Sequence, residues 1–169
     1  MNEIDDLIQE SLASFSKFLD AGGWSGRRER EAVSLYAFEH LLPVVKADSI
    51  FHSPGQMGIE VPVPQIRSGA RQKRQVCKDL VLWPEPAMTC WDSDGDPTVA
   101  PMAILEWKYG STVANQSDVA WLKSFTSSYP DCTGYAIVVR IARDTGLITC
   151  TRVYRGVSER NWLRFEFTT

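Results

Sequence analysis

The chain has 169 residues, of which 44% are hydrophobic and 11% aromatic, and its formal net charge is −3. That length and apolar content suit one folded domain and exclude global disorder. The acidic balance excludes a nucleic-acid binder held by overall charge, since such domains are generally basic, while a local basic patch would still hold phosphates.

The chain opens on Met1-Asn2-Glu3-Ile4-Asp5-Asp6, which has no signal-type apolar core, and its longest apolar runs fall far short of a bilayer span, so a cytoplasmic location with no membrane contact is expected. Residues 3–20 place Ile4, Leu7, Ile8, Leu12, Phe15, Phe18 and Leu19 at helical spacing, with a stop expected at Gly22-Gly23. Ser25 is the expected N-cap of a second helix, from about Arg27 to Leu42, ended by Pro43. Residues 44–58 read as irregular.

The period then changes. Ile59-Glu60-Val61-Pro62-Val63 is an expected short edge strand, given its prolines. A basic turn follows, with Arg67, Arg71, Lys73 and Arg74, and then a strand from Gln75 to Trp83 stopped by Pro84. A long loop carries Asp92-Ser93-Asp94-Gly95-Asp96. It is not an EF-hand, because Pro97 and Ala103 stand where the motif needs glycine and glutamate. Residues 102–108 form the next strand, 115–129 a helix, Gly134 to Ile141 a nearly continuous buried strand, and 147–154 a further strand, while 157–168 are left open between strand and helix. The four cysteines, Cys77, Cys90, Cys132 and Cys150, form no CxxC pair and are expected as reduced, mostly buried thiols. His40 and His52 show no spacing for a metal pair or dyad, and Tyr109, Trp121 and Tyr135 are expected in the core. This order predicts an α/β (α+β) fold with helices around one mixed sheet.

Charges interrupt two apolar strands. Ile104, Glu106 and Lys108 alternate onto one face, with Leu105 and Trp107 on the other. Asp79 sits between Cys77 and Val81 on the preceding strand. If the two strands pair, two carboxylates converge on one hard divalent cation, with Lys108 beside them to orient a water or stabilise developing phosphorane charge. The bland alternatives are a surface ion pair for Glu106 and Lys108 and a hydrogen-bonded carboxylate for Asp79.

Asp79 followed by Glu106-Trp107-Lys108 resembles the PD-(D/E)XK motif of the restriction-endonuclease-like nucleases, with Lys78 where the motif's name has proline. The order of elements is similar too: helix, three strands, helix, strand, covering residues 25–155 as a core, with residues 1–24 as an N-terminal helical extension. The resemblance implies a magnesium-dependent nuclease, with manganese as substitute, cleaving DNA and less often RNA to leave a 5′-phosphate. It implies metal binding by Asp79, Glu106 and the backbone carbonyl of Trp107, and positioning of the nucleophilic water by Lys108. A further glutamate on the preceding helix is also implied. Glu29, Glu31 and Glu39 are the candidates, and Glu31 is preferred because it shares a face with Leu35, Phe38 and Leu42.

Arg67, Arg71, Lys73 and Arg74 are expected to contact nucleic-acid phosphates, set against a simple solvated hairpin tip. Gln116 and Asp118 open the next helix, where the family often shapes its site, although Asp118 also suits a helix N-terminus. The acidic pI suggests a second subunit or a partner protein for substrate binding. The rival expectations are a catalytically silent nuclease-fold module binding protein or nucleic acid, and an unrelated α+β interaction domain.

Overall fold

A computed structural model describes residues 2–24, 28–66, 74–110 and 116–168. Three α-helices and six strands occur among them: α1 (Glu3–Asp20), α2 (Glu29–Tyr36), β1 (Met57–Pro64), β2 (Gln75–Leu82), β3 (Ala103–Tyr109), α3 (Gln116–Ser128), β4 (Thr133–Ile141), β5 (Thr145–Tyr154) and β6 (Val157–Thr168). The strands form one mixed sheet in the order β1-β2-β3-β4-β5-β6. Only the β3/β4 pair is parallel, and α3 is its crossover. No described helix is long and apolar enough to cross a membrane.

The sheet separates two apolar layers. Ile8, Leu12 and Phe15 of α1 and Tyr36 of α2 pack with Leu80, Leu105, Trp107 and Ile137 on one face. On the other face, Trp121, Leu122 and Phe125 of α3 pack with Val81, Ile104 and Ala136. Strand β4 is buried on both faces from Thr133 to Val139, as its continuous apolar run requires. Gly134 lets α3 sit close, since a Cβ there would lie 2.8 Å from Leu122 Cδ2. Helix α1, which falls in the stretch expected as an N-terminal extension, supplies a large part of the first core. Residues 157–168, left open by the sequence, are the edge strand β6.

The second helix departs from its expected extent. It is α-helical only from Glu29 to Tyr36, widens to a π turn over Ala37–Leu41, and tightens to a 3₁₀ turn at Leu42–Val44, where Pro43 can donate no hydrogen bond. Ser25 and Arg27 lie outside the described residues. His40 is buried against Phe15 and Phe18, with Nδ1 3.0 Å from Ser14 Oγ.

Both edge strands contain a left-handed residue that is not glycine. In β1 it is Glu60, with φ 53°. Ile59 pairs with Leu80 and packs in the α1/α2 core, whereas Val61 pairs with Lys78 and packs on the α3 side. Side chains two apart on a regular strand share a face, so the β1/β2 ribbon turns over at Glu60 and Asp79. In β6 it is Asn161, with φ 52°, beside a register shift between Cys150 and Arg152 of β5.

A left-handed non-glycine costs roughly 1 kcal/mol, and the exposed Glu60–Arg30 ion pair returns little of it. Glu60→Gly is therefore expected to raise the urea midpoint slightly, and Glu60→Val, with a β-branched side chain at positive φ, to lower it. Equal midpoints in the two variants would refute the strained turn-over.

Candidate metal and active centre

The site begins where the β2/β3 ladder ends. The ladder runs from Leu82↔Ala103 to Leu80↔Leu105 and stops there. Beyond it the strands splay, and the backbone N–H of Trp107 donates to Asp79 Oδ2 at 2.8 Å. A side-chain carboxylate thus replaces the lost strand partner of a buried backbone donor. Trp107 turns its indole into the opposite core, with its ring centroid 4.9 Å from Tyr36 and 5.9 Å from Phe15.

Glu106 projects into the splay on the α3 side and is 7% exposed. Its partner is Lys78, whose ammonium contacts Glu106 Oε1. By simple alternation Lys78 would share a face with Leu80 and Leu82; the turn-over at Glu60 carries it to the α3 side instead. There it is 5% exposed, and its Nζ lies 3.7 Å from the centroid of a Trp121 ring. Trp121 Nε1 in turn donates to Gln65 Oε1 at 2.6 Å. Burial raises the Glu106 carboxyl to about 7; Lys78 opposes that rise, and Asp79 and Asp118 add to it.

Lys108 lies on the same side, held by three oxygens. Its Nζ is 2.7 Å from the Trp107 carbonyl, 3.2 Å from Glu29 Oε1 and 3.8 Å from Asp118 Oδ2. Burial works against its charge, but Glu29, Asp118 and Asp79 outweigh it and leave its pKa raised. Glu29 also accepts the N–H of Tyr109 through Oε2 at 3.1 Å, which fixes the end of β3 to the start of α2.

The structure therefore gathers Asp79, Glu106, Lys108 and the Trp107 backbone, and it differs from expectation in the helix glutamate. Glu31 is exposed and borders a surface hollow with Trp24 and Phe38, and Glu39 borders the same hollow. The inward face of this helix carries Ala32, Val33, Tyr36 and His40, and Glu29 precedes them at the same spacing. Of the stripe that favoured Glu31, Leu35 and Leu42 are partly buried against the core, but Phe38 is 54% exposed and Glu31 itself lies on the surface. Arg74 ties back to the acidic loop, 3.6 Å from Asp96 Oδ1 and 3.4 Å from the Gly95 carbonyl. Arg67, Arg71 and Lys73 lie outside the described residues. Lys78 was not read as a site residue from sequence, and Asp118 was read only as opening a helix where the resembling family often shapes its site. A lysine in an apolar strand was the available signal for the first.

Among the described residues no group of three or more His, Cys, Asp and Glu side chains forms a ready metal cage. Lys78 and Lys108 sit among the carboxylates instead. The donor set still suits a hard divalent cation. With Glu106 ionised, as it is above about pH 7, Glu29, Asp79, Glu106 and Asp118 face Lys78 and Lys108, four negative charges against two positive. Asp118 Oδ2 is also buried with no hydrogen-bond donor. Oxygen donors with an excess of two negative charges fit magnesium, which accepts one or two carboxylates and keeps waters. Comparison with family models, curated proteins and solved structures gave no match.

Glu106 sets a pH dependence. Its carboxyl holds its proton to about pH 7 in the folded chain, against an ordinary value of 4.5. The folded state thus binds more protons between these values, so the contribution is full below pH 4.5 and is lost as pH rises through 7. The loss is about 3 kcal/mol, and urea denaturation in chelator should show it in the wild type and not in Glu106→Gln. Parallel pH profiles for the two proteins would contradict it.

Proposed function

We propose that the protein is a magnesium-dependent nuclease of the PD-(D/E)XK type that hydrolyses phosphodiester bonds, in DNA before RNA. The observation that carries this reading is the convergence of Asp79, Glu106 and Lys108 at the splayed ends of β2 and β3, with the Trp107 carbonyl beside Lys108. The chain's element order, with three strands between α2 and α3 and a parallel β4 after α3, also supports it.

In this reading Asp79, Glu106 and the Trp107 carbonyl hold magnesium, with Asp118 within reach of the same ammonium group as Glu29. When bound, the metal supplies Lewis-acid activation of the scissile phosphate and neutralises its charge. Lys108 positions the attacking water and stabilises negative charge developing on the phosphoryl oxygens. Glu29 fixes the lysine's direction, so its donors are aimed before substrate arrives. Asp79 holds the end of β3 through the Trp107 N–H. Water adds to phosphorus as the bond to the 3′ oxygen breaks, the water's proton passing to solvent and the leaving oxygen taking one from it, so that a 5′-phosphate and a 3′-hydroxyl remain.

The test is cleavage of single- and double-stranded DNA and RNA in magnesium or in chelator. Metal-dependent cleavage is expected, falling by about two orders of magnitude or more in Asp79→Ala and Lys108→Ala. Glu29→Gln should lower the rate, whereas Glu31→Gln should leave it unchanged. Full activity in Lys108→Ala would sink the mechanism.

One contact favours a second reading, a catalytically silent nuclease-fold module. The Lys78 ammonium already occupies Glu106, so an internal cation would stand in place of a metal. Calorimetric titration with manganese separates the two. The nuclease reading expects binding by the wild type; the module reading expects none until Lys78→Gln frees Glu106.

A further inference from the structure

A second feature lies on the same face of the sheet as the carboxylates. Between α3 and the β5/β6 hairpin runs a groove of about 690 Å³. Its helix wall includes Gln116 and Lys123, its floor Thr149 and Thr151, and its far wall Arg160 and Arg164. Among the described residues lining it there is no aspartate or glutamate, in a protein whose net charge is −3. The neighbouring Ser158 and Asn161 add uncharged hydrogen-bonding groups.

The cations are there because of local geometry. Gln116, Ala120 and Lys123 recur at helical spacing on the side of α3 turned from the Trp121 and Phe125 core. In β6, the register shift and left-handed Asn161 interrupt the alternation that puts Phe165 and Leu163 on the opposite core, and Arg160 lines the groove at this interruption. Arg164 pairs across the hairpin with Thr149 and is engaged by Glu166 Oε1, at 3.1 Å from Nε. That ion pair is exposed, so a phosphate can replace the carboxylate at little cost.

We infer that this groove binds the phosphodiester backbone of a single-stranded polynucleotide and leads it to the carboxylate site. This deepens the nuclease reading and rests on it for the destination of the strand. The link is α3 itself. Gln116 opens the groove, and two residues later Asp118 lies 3.8 Å from Lys108. Cations on both walls suit a charged backbone threaded between them, and threonine, serine and asparagine offer sequence-neutral hydrogen bonds to phosphate and sugar.

The test uses the full chain in chelator, so that binding is read without cleavage. Anisotropy of labelled oligothymidylate and oligouridylate of about 15 nucleotides is followed against salt, alongside a matching duplex and a polyphosphate. The wild type is expected to bind single strands with a log–log salt slope of about −2, for three phosphate contacts. Lys123, Arg160 and Arg164 are all exposed, so replacing them together with glutamine should leave the fold intact. That variant should lose about tenfold in affinity or more, with a shallower slope. Binding to either single strand supports the inference, and the ratio of the two assigns the sugar.

Unchanged affinity in the triple variant, no binding by the wild type, or equal binding of duplex or polyphosphate would overturn it. Magnesium-dependent cleavage by a triple variant that binds like the wild type would defeat the groove and leave the nuclease standing. Groove-dependent binding with no cleavage in magnesium would do the reverse.

Discussion

The hydrogen bond from Trp107 N–H to Asp79 Oδ2 is the constraint on which the site depends. A buried backbone donor in mid-sheet must find an acceptor, and ordinarily the neighbouring strand supplies it. Here β2 has already left β3 beyond Leu80↔Leu105. A carboxylate one residue further on takes over, so the strands can splay without orphaning the N–H. The splay makes room for Glu106 and Lys78, and it allows Lys108 to be reached from both α2 and α3. Without Asp79, closing the ladder would bring β2 against β3 in the space these side chains occupy.

The electrostatic cost of that arrangement argues for its use. Glu106 and Lys78 are each less than a tenth exposed, and a buried ion pair commonly does no better than an apolar pair of similar volume. Glu106 gains enough from Lys78 to moderate, but not to cancel, the effect of burial on its carboxyl. Asp118 adds a buried oxygen with no donor. Such departures are expected where chemistry or binding requires them and are rare in a core built for stability alone. They also cluster: Glu29 from α2, Asp79 from β2, Glu106 and Lys108 from β3, and Asp118 from α3 meet at one end of the sheet, whereas the buried Asp5 of α1 stands apart and is satisfied by Tyr135 and Arg152.

The elements were legible because hydrophobic period reports burial directly. The stretches expected as strands at 59–63, 75–83, 102–108, 134–141 and 147–154 correspond to β1 through β5, and the helices at 3–20 and 115–129 to α1 and α3. Asp79, Glu106 and Lys108 were legible as charges breaking apolar runs. Glu29 was passed over because α2 carries two apolar stripes, and the one containing Phe38 is half open to solvent. Lys78 was misdirected for a different reason. Alternation alone sets it with Leu80 and Leu82 on the α1/α2 side, and nothing in the local pattern of β2 records the turn-over at Glu60 and Asp79 that brings it to the α3 side beside Glu106. The β6 segment was ambiguous because its buried positions are interrupted by the bulge near Asn161.

The two edge strands therefore share one device. A left-handed residue interrupts the alternation of β1 at Glu60 and of β6 at Asn161. Such irregularities blunt an edge against pairing with another chain, which alone would justify them. Their second effect concerns charge. At one edge the irregularity carries the ammonium of Lys78 onto Glu106, where it offsets a carboxylate. At the other, Arg160 joins Arg164 and Lys123 around a groove with no carboxylate in its described lining. A net charge of −3 averages over these two ends. Resolved in space, acidic oxygens collect at the splayed ends of β2 and β3 and positive charge collects along the groove, with α3 running between them, a separation that the proposed metal and phosphate-backbone sites both need.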